Sequence, residues 1–227
     1  MISKSGSVID KLIRGYLHPV LKEKNFIRKE RTWNRDARGF KDVIDVQASR
    51  WNEGESVSFT INLGVFVPSV YSICWGVDAP SFVKESDCIV RIRLGALLND
   101  APKDKKRDHW WDSNSSTDFE VSTSSTPNPA DMETVGREVA KVIATRGISF
   151  LEQFDSLTAI HDFLIQDTGW EVRTPLGRIY LAIIKAQLGD LMGARQLLAE
   201  LNTEKNRSWR ERVFEVAGRL GSKLEWV

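Results

Sequence analysis

From Asp42 to Val67 hydrophobic and polar residues alternate in two runs. In Asp42–Trp51, Ile44, Val46 and Ala48 interleave with Asp45, Gln47 and Ser49. In Val57–Val67, Val57, Phe59, Ile61, Leu63 and Val65 interleave with Ser58, Thr60 and Asn62. Successive strand side chains point to opposite faces, so each run predicts a strand with one apolar and one polar side. The intervening Asn52-Glu53-Gly54-Glu55-Ser56 is rich in turn formers, and Gly54 tolerates positive φ. The two runs therefore read as a β-hairpin. Hairpins need further strands or a helix for stability, and the flanking sequence supplies candidates.

Upstream, Ile9, Leu12, Ile13, Tyr16, Leu17, Val20 and Leu21 recur at helical spacing and predict an amphipathic helix over Val8–Lys24. Pro19 lies inside it and predicts a kink or break near His18. Phe26–Arg35 suits a strand pair or one long strand, with a turn at Asp36–Gly39. Pro68–Val83 reads as irregular, because Pro68, Gly76 and Pro80 interrupt it. Cys88–Leu94 alternates again, with Cys88, Val90, Ile92 and Leu94 on one side and Arg91 and Arg93 on the other. His109-Trp110-Trp111 starts a short element, and Phe119–Thr123 reads as a last strand.

Ser122–Asn128 is small, polar and proline-containing, which suits a linker. Two regions follow from this: an α+β sheet domain over residues 1–126 and a helical region over 127–227 docked on it. In the second, the pattern predicts a helix from Pro129 that ends at Gly147 and another over Ser149–Gln166. Pro175–Leu188 and Leu191–Leu201 read as two helices joined at Gly189-Asp190, and the pair resembles a single tetratricopeptide unit. Arrays of that kind need about three units, so a helical hairpin is expected rather than a solenoid. Ser208–Leu220 reads as a final helix. Short connections between sequential strands favour antiparallel pairing. The expected fold class is α+β: an N-terminal helix packed on a mainly antiparallel sheet of about five strands, followed by a C-terminal helical region.

Composition sharpens this only a little. A chain of 227 residues with 41% hydrophobic and 28% charged residues is an ordinary globular sequence. The formal net charge of +1 gives no global argument for nucleic acid or an acidic partner. No apolar run approaches the roughly 20 residues of a bilayer span. The start lacks the features of a signal peptide. Cys74 and Cys88, the two cysteines, make no disulfide scaffold. A reducing, cytoplasmic setting is expected.

No motif identifies a reaction. His18, His109 and His161 are isolated, and none has a second ligand at metal spacing. There is no glycine-rich phosphate loop and no nucleophile elbow. No cofactor or metal is implied. The paired carboxylates and the mixed-charge run Lys103–Asp108 read as solvated surface. The polar sheet face is the candidate site, because several strands contribute to it. Its members by alternation are Trp33 and Arg35, then Asp45, Gln47, Ser49 and Trp51, then Thr60 and Asn62, then Arg91 and Arg93, with Glu120. Arginine pairs suit carboxylates and phosphates, and tryptophans stack on rings. The plainer reading of this face is solvated sheet, with Asp45 and Glu120 pairing Arg91 and Arg93. Among eight tryptophans, some are expected to mark a partner surface and most to be core.

Phe26 with the basic residues and Trp33 after it, then VIDVQASRWN, FTINLGVF, CIVRIRLGAL and Trp110, resemble the bacterial family called domain of unknown function 4304. The resemblance covers about residues 8–125. Gln47, Trp51, Asn52, Asn62, Gly64, Arg91, Arg93 and Gly95 match its motif positions. The family implies a fold and carries no established activity.

The leading functional expectation is a non-enzymatic binding protein that recognises a protein partner through Trp33, Gln47, Trp51, Asn62, Arg91 and Arg93. One alternative is nucleotide or nucleic-acid binding through the arginine and tryptophan face. Another is an enzyme on an anionic substrate, with Asp45 or Glu120 as acid-base. Nothing points to a membrane, and the oligomeric state is not readable.

Overall fold

The computed structural model describes residues 4–52, 57–98, 110–112, 129–166, 174–202 and 204–221. Helix α1 (Lys4–Leu12) runs through a π-helical turn (Ile13–Leu17) into α2 (His18–Glu23). Of the kink or break expected near His18, the break does not occur, and the helix instead carries the π-helical irregularity immediately before that residue. Proline lacks an N–H and its ring crowds the carbonyl four residues back, so the chain widens one turn ahead of it. The His18 N–H then bonds the Ile13 carbonyl. Ile9, Ile13, Leu17 and Leu21 form the buried stripe that the spacing predicted.

The sheet comprises β1 (Ile27–Lys29), β2 (Thr32–Ala37), β3 (Phe40–Ala48), β4 (Ser58–Phe66) and β5 (Val90–Arg93), in that spatial order. A short β6 (Trp111–Asp112) pairs with β4 in antiparallel register, Ser58 opposite Asp112 and Phe59 opposite Trp111. Phe26–Arg35 is thus a strand pair. Lys29 faces Thr32 across the turn Glu30-Arg31. Arg38 and Gly39, both at positive φ (57° and 80°), turn β2 into β3. Two such residues in succession match the right-handed twist of a hairpin. The architecture is the α+β arrangement expected: an N-terminal helix, a five-strand antiparallel sheet and C-terminal helices.

One local expectation fails. Within the stretch read as irregular, Pro68–Trp75 is a helix, α3. Pro68 sits in its first turn, where the missing N–H has no helical partner to lose. Gly76, at φ 70°, ends it.

The contacts group the chain into two compact units: Met1–Asp36, Asp42–Gly64 and Ile92–Glu152 in one, and Ala37–Lys41, Val65–Arg91 and Gln153–Val227 in the other. In the first, α4 (Pro129–Val142) continues through a second π-helical turn (Ile143–Gly147) into α5 (Ile148–Glu152). The helix therefore does not stop at Gly147. That glycine is buried, and a Cβ there would lie 3.2 Å from Leu94 Cδ1. It serves close packing rather than termination. Gly136 acts similarly, since a Cβ would fall within 3.0 Å of three ring atoms of Tyr16.

In the second unit, α6 (Leu157–Gln166), α7 (Pro175–Gln187), α8 (Leu191–Leu201) and α9 (Arg210–Arg219) follow in order. Each of the first three begins on a side-chain cap. Ser156 Oγ accepts from Ala159 N (3.1 Å), Thr174 Oγ1 from Gly177 N (3.1 Å) and Asp190 Oδ1 from Gly193 N (2.9 Å). Helices α7 and α8 form the expected hairpin, with Ala182 and Ala194 wholly buried. Arg219 donates to the carbonyls of Ile73 (3.0 Å) and Cys74 (2.9 Å), and Arg212 to that of Cys74 (3.2 Å). Two guanidiniums thereby satisfy the orphan carbonyls at the negative end of α3. The strand expected at Phe119–Thr123, the linker Ser122–Asn128 and Glu120 lie outside the described residues. No helix among those described is long and apolar enough to cross a membrane.

Candidate functional site

Register decides which side chains share a face. Val46 N bonds Arg31 O across β2 and β3, and Thr32 Oγ1 donates to Asp45 Oδ1 (2.7 Å). Thr32, and by alternation Asn34, therefore lie on the polar side with Asp45 and Gln47. Trp33 and Arg35, expected there, lie on the other side. Trp33 is wholly buried, and its indole N–H donates to His18 Nδ1 on α2 (3.4 Å). Arg35 sits against the Phe26 ring, 4.8 Å from its centroid, and donates through Nε (3.0 Å) and Nη2 (2.7 Å) to the buried Asp42 Oδ2. The two-residue beat in β2 is ambiguous by itself. Tryptophan carries a polar N–H and arginine a long apolar stem, so each fits either side.

On β3 and β4 the expected face does assemble. Asn62 Nδ2 donates to Gln47 Oε1 (3.0 Å) across the strands. Asn62 is nearly buried and Thr60 fully buried, whereas Gln47 is exposed. Beyond Gln47 the hairpin is closed by a side chain. Asn52 Nδ2 donates to Ser58 O (2.9 Å), and Asn52 Oδ1 accepts from Ser58 N (2.8 Å). The carboxamide thus joins the backbone bond from Ser49 N (2.9 Å) on the Ser58 carbonyl and takes up the Ser58 amide as well. This clip leaves Trp51 projecting into solvent, 88% exposed.

Trp51 forms part of a concavity of about 480 Å³ lined by Gln47, Ser49, Arg50, Trp51, Ser58 and Trp110. That volume lies in the range of about 300–1,000 Å³ usual for ligand sites. Trp110 arrives there because Trp111, next to it on β6, turns inward. Trp111 is buried and stacks on Phe59, its partner across the strands, with ring centroids 6.1 Å apart. Adjacent strand residues point to opposite sides, so Trp110 faces the groove. The Arg93 guanidinium packs over the Trp110 ring, 5.3 Å from its centroid. Ser49 Oγ accepts from Trp51 N (3.2 Å), which fixes the start of the turn.

Of the six proposed binding residues, Gln47 and Trp51 line the groove, Asn62 orients Gln47, and Arg93 holds Trp110. Arg91 is engaged elsewhere. Its Nε and Nη2 meet both carboxylate oxygens of Glu85, at 2.7 and 3.0 Å. That fork is filled by Glu85, a protein acid close to it in sequence, whereas the expected partner Asp45 accepts from Thr32 and Glu120 lies outside the described residues. Trp110, Arg50 and Ser58 were not read as site residues. The signal for Trp110 was its doubled aromatic neighbour, since one of two successive strand residues must face away from the core.

The second unit has its own cleft, about 430 Å³, lined by Trp75, Ser208, Trp209, Glu211, Arg212 and Glu215. Two of its charges meet each other: Arg212 packs over Trp75, 4.5 Å from the ring centroid, and donates to Glu215 Oε2 (2.5 Å). Nearby, burial pushes the Cys74 thiol up to about 12, against the opposing fields of Arg212 and Arg219. Such a thiol stays protonated at neutral pH and packs as a small apolar group. Among the described residues no group of three or more His, Cys, Asp or Glu side chains is placed to hold a metal ion.

A small α+β scaffold carrying an aromatic groove at one hairpin end is thus the class of protein described. The family model described as Domain of unknown function (DUF4304) matches residues 17–141, more than half the chain. The chain belongs to that family. The match spans β1 to β6 and the groove, and it ends before the α7–α8 hairpin, so the likeness of that hairpin to a tetratricopeptide unit draws no support from it. No curated protein and no solved structure matches the chain.

Proposed function

We propose that this protein is a non-catalytic binding module that recognises a protein partner through the groove formed by Gln47, Ser49, Arg50, Trp51, Ser58 and Trp110. One observation carries this reading: Trp51 leaves 88% of its surface exposed beside a second indole and a polar floor. Exposed tryptophans are costly in water and are enriched where partners dock. We place the protein in the bacterial cytoplasm, in keeping with its family and its thiols.

The test compares capture from the native cell extract by the wild type, Trp51→Ala and Trp110→Ala. Because Trp51 packs little against its own chain, its variant keeps the wild-type melting temperature. Loss of a specific captured protein with both variants supports the reading. Full retention by both refutes it. The two indoles beside Arg50 also favour a second reading, a nucleotide or single-stranded nucleic acid stacked on them. A titration with a labelled single-stranded oligonucleotide checks it, with steep loss of affinity on adding salt expected. The enzymatic reading gains nothing from the described residues: Asp45 lies outside the groove lining and accepts from Thr32, and the described lining residues include no carboxylate.

A further inference from the structure

The groove's chemistry also specifies what the partner presents, an inference that rests on the binding reading above. Its described lining offers donors and aromatic faces. Gln47 accepts from Asn62 Nδ2 with its carbonyl oxygen, so the group it has to offer a ligand is its NH₂ donor. Ser49 Oγ accepts from Trp51 N, which leaves its hydroxyl hydrogen to donate. Ser58 has both backbone groups bonded to Asn52, so only its side chain serves a ligand. Arg50 is exposed and carries a planar fork of N–H groups, and both indoles carry an N–H at the ring edge. No carboxylate is among the described residues of the lining.

We infer that the groove accepts an acidic segment of the partner protein, with a carboxylate on the Arg50 guanidinium and an apolar side chain against the indoles of Trp51 and Trp110. A cationic segment would find donors facing donors and an arginine repelling it. A polynucleotide needs a run of cations along its backbone, and among the described lining residues Arg50 is the one cation, the Arg93 guanidinium lying over the Trp110 ring. Charge complementarity therefore selects the acidic peptide.

Three dye-labelled probes test this by fluorescence anisotropy with the full chain: a short glutamate-rich peptide carrying one phenylalanine, its lysine-rich counterpart, and a single-stranded oligonucleotide. The glutamate peptide is expected to bind, and to weaken by about tenfold in Arg50→Glu and in Trp51→Ala, the usual size of a hot-spot loss. Its affinity should fall as salt rises, and its amide chemical-shift changes should centre on Gln47, Ser49, Trp51 and Ser58. Phe214→Ala, at an exposed ring on α9, should leave binding unchanged. Stronger binding of the lysine peptide or the oligonucleotide overturns the inference, as does glutamate-peptide binding indifferent to Arg50→Glu. If the captured partner is lost with Trp51→Ala while the glutamate peptide neither binds nor competes, the binding reading stands and the acidic-segment inference falls. If Trp51→Ala and Trp110→Ala both keep the partner, the binding reading itself falls.

Discussion

Asn52 and Ser58 form a side-chain rung across the β3–β4 hairpin: the carboxamide donates to the Ser58 carbonyl at 2.9 Å and accepts from its amide at 2.8 Å. A backbone pair would place the same donor and acceptor there, so an asparagine replaces a strand residue where the chain must leave the ladder. Trp51, just before it, is thereby held at the groove rim. Two neutral hydrogen bonds each contribute about 1 kcal/mol net, so Asn52→Ala should cost about 1–2 kcal/mol in chemical unfolding. Asn52→Asp keeps the acceptor and loses the donor, and should fall between. Amide exchange at Ser58 should accelerate in both variants.

The Arg35–Asp42 pair predicts a larger effect. Asp42 has no exposed surface and the Arg35 side chain is 11% exposed, so removing the cation strands a buried carboxylate. Arg35→Met should cost about 3–5 kcal/mol. The double variant Arg35→Met/Asp42→Leu should recover most of the loss, because no charge is then left buried. A denaturation cycle over the four proteins reads the coupling directly.

Arg93 is a positioning residue for Trp110. Cation–π packing at a half-exposed site contributes about 0.5–1 kcal/mol, too little to unfold the chain. Arg93→Ala should leave the melting temperature nearly unchanged, shift the Trp110 indole N–H resonance and weaken partner binding. Arg93→Lys retains a cation over the ring and should restore part of both. An unmoved resonance in Arg93→Ala would remove this role.

Asp190 predicts a pH dependence confined to acid. The hydrogen bond from Lys185 Nζ, and then that from the Gly193 amide, hold its carboxyl below the usual value of 3.8. The unfolded chain therefore binds this proton first. The contribution is fully present above the unfolded pKa and is lost as pH falls through the lowered folded one. Wild-type urea midpoints should drop more than those of Asp190→Asn as pH is taken from about 5 to about 3. At neutral pH, Asp190→Ala should be less stable than Asp190→Asn, which keeps the oxygen that caps α8.

The helices show where periodicity suffices and where it does not. The buried stripe Ile9, Ile13, Leu17, Leu21 was legible because a helix repeats its face every three or four residues whatever surrounds it. The continuation through Gly147 was not. Glycine permits both a stop and a close approach, and only Leu94 and Leu63 across the gap select the second. Pro19 and Pro68 make the same point. Proline restricts local hydrogen bonding, but whether the chain widens, breaks or starts a helix depends on what its neighbours bury.

By itself the sequence determined the α+β class, the β3–β4 hairpin and the shared side of Gln47 and Asn62, because alternation along a strand is a local geometric necessity. Only the tertiary structure decided that Trp33 belongs to the core, that Glu85 takes Arg91, and that Trp110 joins Trp51 in one groove. Those outcomes depend on register and on contacts between residues distant in the chain. An amphipathic side chain is indifferent to face until neighbours supply a partner for its polar end.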